Sequence, residues 1–138
     1  MRLLLAAVAV LAASACSSPA PASPYAGTVW TLDRIVAADG SVTRGSGDER
    51  LTLGADGSVS MQSCNLCNGR FATDGDVLTV AEPVACTRRG CTSGQIEMER
   101  YFAGPVGLDR DGPTLTVSAA DDVQLVFVAE TMAAPESN

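Results

Sequence analysis

Apolar residues recur at every second position in a series of short stretches: Leu51 and Leu53, Val59 and Met61, Leu78 and Val80, Leu115 and Val117. A period of two sends successive side chains to opposite faces, so each stretch reads as a strand buried on one face. Between the stretches stand Asp39-Gly40, Asp56-Gly57, Asp74-Gly75 and Asp111-Gly112. Glycine accepts positive φ and aspartate bonds its own backbone, so each pair favours a tight turn between antiparallel neighbours. The run from Asp74 to Val80 echoes that from Asp111 to Val117, which predicts two similar hairpins. The last run, Val123 to Ala129, is apolar on both faces and predicts a central or covered strand.

One segment leaves the alternation. Thr92 to Ala103 carries Met98 and Phe102 four positions apart with Ile96 nearby. Thr92 and Gln95 have the spacing of a capping box, and Gly104-Pro105 is a stop signal, so the segment predicts a helix. The pattern as a whole predicts a mostly β fold, a curved antiparallel sheet with one helix of about ten residues laid against it or plugging it. The expected core is Trp30, Leu32, Leu51, Leu53, Val59, Met61, Phe71, Leu78, Val80, Phe102, Leu115, Val117, Leu125 and Phe127.

The beginning of the chain is patterned differently. Met1-Arg2 precedes an unbroken apolar run from Leu3 to Ala13, too short for a stable membrane span. Ala13-Ser14-Ala15-Cys16 follows, small residues directly before a cysteine, in the manner of a bacterial lipobox with Ala13 where leucine is usual. Cys16 is then the expected lipidation site and the mature N-terminus; ordinary signal cleavage after Ala15 is the alternative. The Pro/Ser/Ala stretch from Ser17 to Pro24 cannot build a core and suits a tether. The expected layout is a signal peptide over 1–15, a lipid-anchored linker over 16–26, a folded domain over 27–130 and a disordered tail over 131–138. Ser17 after the cysteine, in place of aspartate, points to the outer membrane if the host has one.

Composition narrows the chemistry. All nine cationic side chains are arginine, sixteen residues are acidic and none is histidine, giving a net charge of −7 over 138 residues. Without histidine there is no Ser-His-Asp or Cys-His nucleophile system, no imidazole metal ligand and no proton carrier tuned near neutral pH. Without lysine there is no Schiff-base chemistry. The acidic balance argues against nucleic acid, which needs clustered cations. Arg88-Arg89 reads as a solvated loop. Asp109, Asp111, Asp121 and Asp122 match no calcium loop with enough oxygen ligands and read as turn residues. No catalytic residue, cofactor or metal is expected, and the chain is expected to be a monomer.

Four cysteines in the body, Cys64, Cys67, Cys86 and Cys91, are the one constellation able to carry chemistry. Their spacing comes close to a four-thiolate zinc site, and a redox pair is a third reading. Export favours two disulfides, because an even cysteine count in a small exported domain reads as structural bridges. Pairing Cys64 with Cys91 and Cys67 with Cys86 gives nearly constant index sums, as adjacent antiparallel segments would. Local pairs, Cys64 with Cys67 and Cys86 with Cys91, would close very small loops for little entropic gain.

Trp30-Thr31-Leu32, Ser63-Cys64-Asn65, Asn68-Gly69-Arg70-Phe71 with Asp74-Gly75, and Cys86-Thr87-Arg88-Arg89-Gly90-Cys91 before an acidic-aromatic segment resemble, in that order, the META/HslJ domain. The resemblance spans Thr28 to Ala129, with Trp30, Asn65, Gly69 and Phe71 as its motif residues. Ser63 stands where the family has glycine, Arg89-Gly90 where it has Met-Ala, and Cys67 and Cys86 are additional. Cys64 and Cys91 occupy the family's cysteine positions, which the resemblance implies are paired. It also implies a mostly β fold, a small antiparallel lipocalin-like or half-open β-barrel with one α-helix packed on or in it, in a secreted or lipid-anchored bacterial protein linked to heat shock, envelope stress or antibiotic tolerance, without enzymatic activity. The function expected is a non-enzymatic cell-envelope lipoprotein, a stress-associated structural or interaction module with the membrane as one partner and an envelope protein as a candidate other. The alternative is a small-ligand, lipid or peptide binder using the barrel interior. In that motif Asn65, Asn68 and Gly69 are expected to fix a tight connection.

Overall fold

The structure is a computed structural model that describes residues 23–130. The expected signal peptide over 1–15, Cys16, most of the expected linker and the expected tail over 131–138 lie outside the described residues. Ten strands form one antiparallel sheet: β1 Val29–Val36, β2 Val42–Arg44, β3 Arg50–Leu53, β4 Ser58–Gln62, β5 Leu66–Asp74, β6 Val77–Val80, β7 Ala85–Cys86, β8 Val106–Asp111, β9 Thr114–Ser118 and β10 Gln124–Ala129. The order β10-β9-β8-β6-β5-β4-β3-β1 closes on itself because β1 also pairs β10 over Trp30↔Ala129 to Val36↔Gln124. The barrel is therefore closed, which removes the exposed edges that a half-open sheet would leave.

The four Asp-Gly pairs all sit in turns, each with its glycine at positive φ. In the β3–β4 turn the Asp56 carboxylate accepts the Ser58 N–H at 3.0 Å, the local bond that makes aspartate a turn former. The two echoing segments become β6 and β9, each the outgoing strand of its hairpin. β10 is central, with Leu125, Val126 and Phe127 buried in succession.

One irregularity shapes β1. Its register slips between Leu32 and Arg34, and the buried phase passes from Trp30 and Leu32 to Ile35. A bulge adds one residue, bends the strand and shifts the alternation. It lets a single edge of β1 pair first with β3 and then with the short β2. Gly45 lies at that transition, where an added Cβ would collide with the Leu32 carbonyl. The excursion is closed by Glu49, buried at 7% exposure, whose carboxylate accepts the Ser46 N–H at 2.8 Å and the Ser46 hydroxyl at 2.9 Å.

The predicted helix over Thr92–Ala103 is reduced to one 3-10 turn, Met98–Phe102. The Thr92 N–H does bond Gln95 Oε1, at 2.8 Å, but the pair closes a turn in which Gly94 adopts φ +89°. That conformation ends any right-handed helix, and the Ile96 carbonyl is already occupied by the Cys64 N–H. Met98 and Phe102 still face the core.

Trp30, Leu51, Leu53, Met61, Leu78, Leu115 and Phe127 fill the barrel with almost no exposure. The expected core is reproduced except at Phe71, which is only partly buried and packs against the core from its margin. Val106, Leu108 and Ile35 join the core. Tyr25 joins it too, at 5% exposure, so Ser23–Ala26, the end of the linker expected over 16–26, belongs to the fold.

Candidate functional site

The strand directions sort the connections onto two ends of the barrel. At one end lie the turns at Asp56-Gly57, Asp74-Gly75 and Asp111-Gly112 together with Ser23–Gly27 and Glu130. At the other lie the β4–β5 connection, the long segment 81–105 and the β9–β10 connection. All four body cysteines are at this second end, which makes it the candidate site.

The structure joins Cys64 to Cys91, with Cα atoms 5.8 Å apart, and Cys67 to Cys86, with Cα atoms 4.0 Å apart. Cys67 and Cys86 face each other across the β5–β7 ladder, and Cys67 is fully buried. Glu99 brings a carboxylate oxygen within 4.8 Å of both of these sulfurs. Zinc takes thiolates, and sulfurs shared in a cystine are not thiolates, so the trio is no metal centre in this state. The two cystines also do not gather their four sulfurs into the one cluster that a four-thiolate zinc site needs.

Around the cystines a small hydrogen-bond network fixes the loops. Asn65 Oδ1 accepts the Arg89 N–H at 2.8 Å and the Thr87 hydroxyl at 3.3 Å. Thr87 Oγ1 in turn accepts the Leu66 N–H at 3.0 Å, and Asn65 Nδ2 points at Cys91 Sγ, 3.6 Å away. Ser63 accepts the Met98 N–H at 3.2 Å and donates to Glu99 at 3.5 Å. Asn65 thus ties the tip of the β4–β5 connection to the cystine loop. Asn68 and Gly69 lie within β5, opposite Ser60 and Val59, so they do not build the connection expected of them. Gly69 lies under Val84, with room for an added Cβ at ordinary contact distance. Asp121 and Asp122 turn the chain between β9 and β10 in left-handed conformations; Asp111 ends β8 at the β8–β9 turn, and only Asp109 lies inside the strand.

The electrostatics single out two side chains. Arg34, Arg44, Arg50 and Arg100 are in ion pairs, while Arg70 and Arg110 donate to backbone carbonyls. Arg88 and Arg89 have no side-chain partner among the described residues, so two unpaired guanidinium groups stand on the cystine loop of an acidic protein.

Trp30, the remaining motif residue, is inside the opposite end of the barrel. Its Nε1 donates to the Tyr25 carbonyl at 3.5 Å, and the Arg110 guanidinium lies 5.1 Å from its ring centroid. Among the described residues, surface cavities of about 290 to 340 Å³ include one beside Asn65 and Arg89 and a more polar one lined by Arg44, Ser46, Asp48, Glu49 and Gln95. None of these cavities is lined by Trp30, Met61, Leu78, Leu115 or Phe127, the residues that occupy the barrel axis. Sequence reasoning missed Thr87, Ser63 and Glu99 as members of the network; no spacing signal marks them, because their contacts are made across loops.

A closed, side-chain-filled antiparallel barrel with a cystine-braced rim is the class of protein that this geometry defines. The META domain profile matches residues 23–132, and the chain belongs to the META domain family. An NMR structure of a protein from Burkholderia xenovorans has the same fold, with a TM-score of 0.61 at 22% identity over 91% of this chain and all of that one. A second NMR structure superposes with a TM-score of 0.56 at 18% identity, over 73% of this chain and 87% of its own. No curated protein sequence matches the chain.

Proposed function

We propose that the chain is a non-enzymatic cell-envelope lipoprotein whose META domain serves as a structural or interaction module. The observation that carries this reading is how the polar groups of the candidate site are used. Asn65, Thr87 and Ser63 spend their hydrogen bonds on one another's loops, and the sulfurs are paired, which favours a bracing role for these groups over a reactive one. The filled axis argues against a ligand held inside the barrel, because a binding cavity needs unoccupied apolar volume. Two cystines suit an oxidising, extracytoplasmic compartment. The lipobox-like Ala13-Ser14-Ala15-Cys16 and the tether after it supply the anchor in this reading, and the association with stress rests on the resemblance to META/HslJ proteins alone.

The test is fractionation of cells expressing the full chain or its Cys16→Ser variant. The wild type is expected in the membrane fraction with a globomycin-sensitive processing step, and the variant in the soluble fraction. Equal, soluble distribution of both would overturn the anchored reading.

A further inference from the structure

We infer that the end of the barrel formed by the three Asp-Gly hairpins and Ser23–Gly27 faces the lipid surface, and that the cystine-braced rim with Arg88 and Arg89 is held away from it. This inference rests on the lipid-anchor reading and adds an orientation to it.

The first described residues are held to this end by side-chain and backbone hydrogen bonds. Arg110 Nη1 donates to the Pro24 carbonyl at 2.8 Å, and Arg110 Nε donates to the Gly112 carbonyl at 3.2 Å, so one guanidinium bridges the incoming chain to the β8–β9 turn. The Tyr25 hydroxyl donates to Asp76 Oδ1 at 2.8 Å, which ties the same segment to the β5–β6 turn. The Gly27 N–H bonds the Leu53 carbonyl at 2.8 Å, at the end of β3. With Tyr25 buried among these contacts, the chain enters the fold at a fixed place on this end. The last described residue is at the same end, where the Glu130 N–H bonds the Val29 carbonyl at 2.9 Å.

The linker is short against the barrel. Cys16 precedes Ser23 by seven positions, which span at most about 24 Å when fully extended. A strand such as β1, eight residues long, runs about 26 Å, and at an ordinary barrel tilt this gives a height of about 20 Å. Turning the cystine rim toward the lipid would require the linker to run the whole height of the wall, leaving almost none to cross the rim. With the hairpin end toward the lipid the same linker has slack.

The test uses the full chain purified from membranes with its N-terminal modification intact, placed in phosphatidylcholine nanodiscs containing a gadolinium-chelating lipid and read by amide NMR. Broadening of the Gly57, Gly75 and Gly112 amides at least threefold above that of Gly40 and Gly90 supports the orientation. Co-migration with the discs but uniform or inverted broadening would overturn the orientation and leave the anchor standing. Failure to co-migrate would overturn the anchor and the orientation with it.

Discussion

The side-chain oxygen of Asn65 accepts the backbone N–H of Arg89 at 2.8 Å, across 24 positions of chain. Both residues neighbour a cysteine of the Cys64–Cys91 bridge in space, so the hydrogen bond and the cystine fix the same pair of loops by different means. Replacing Asn65 by Ala leaves the Arg89 N–H without its acceptor. The expected cost is about 1–2 kcal/mol, and the Arg89 amide should lose hydrogen-exchange protection while Leu115 and Phe127 keep theirs. Unchanged exchange at Arg89 would contradict the role given to Asn65.

The cystines brace the same rim covalently. They span 27 and 19 positions, and loops of that length are worth about 3 kcal/mol each in the chain-entropy account. The double variant Cys67→Ser/Cys86→Ser leaves no odd thiol to scramble. Its melting temperature should fall by about 12 °C or more, given several degrees per kcal/mol for a domain of this size. A loss of only a degree or two would mean that the bridge contributes little.

Much of the fold can be read in the chain, because the two signals it depends on are local. Period-two apolarity marked β3, β4, β6 and β9, and the Asp-Gly pairs marked their turns. Barrel closure through β1 and β10 was open in the sequence, since pairing between the first and last strands has no local signature. The bulge after Leu32 hid Ile35 in the same way, by moving the inward phase by one residue. Tyr25 stands directly after the Pro/Ser/Ala stretch Ser17–Pro24, and no local signal marks it as core. Its burial depends on contacts with Asp76, far along the chain. The helix over Thr92–Ala103 failed at Gly94, where capping chemistry closes a turn and the cystine loop takes the segment elsewhere. Of the candidate site, the cysteines and Asn65 were visible, while Thr87, Ser63 and Glu99 were not.

Two glycines should respond in opposite ways. Gly45 crosses β1 against the Leu32 carbonyl, and backbone cannot give way there. Gly45→Ala is expected to cost about 2–3 kcal/mol, the range of overpacked sites. Gly69 meets only Val84 and Val59 methyl groups, at 3.6 to 3.7 Å. Gly69→Ala should therefore lie within about 1 kcal/mol of wild type, helped by a less flexible unfolded chain. Urea titrations of both variants measure the difference, and a larger loss at Gly69 would refute the packing described.

Tyr25 provides a pH dependence. Burial first, and then its hydrogen bond to the Asp76 carboxylate, push its hydroxyl above the ordinary tyrosine value of 10.0. A raised folded-state value means that its contribution is complete below about pH 10 and is lost as pH rises through the folded value. In a Tyr101→Phe background, absorbance at 295 nm should show Tyr25 ionising later than free tyrosine, and Asp76→Asn should bring it earlier. Ionisation at the free value in both proteins would place Tyr25 in solvent.

The account as a whole joins an anchor at Cys16 to a barrel braced by two long-range cystines. Mass spectrometry of the protein purified from membranes without reductant, digested and mapped, tests both in one measurement. The predicted result is an N-terminal peptide beginning at a diacylated Cys16, with peptides linked as Cys64–Cys91 and Cys67–Cys86. An unmodified N-terminus together with Cys64–Cys67 linkage, or four free thiols holding zinc, would contradict it.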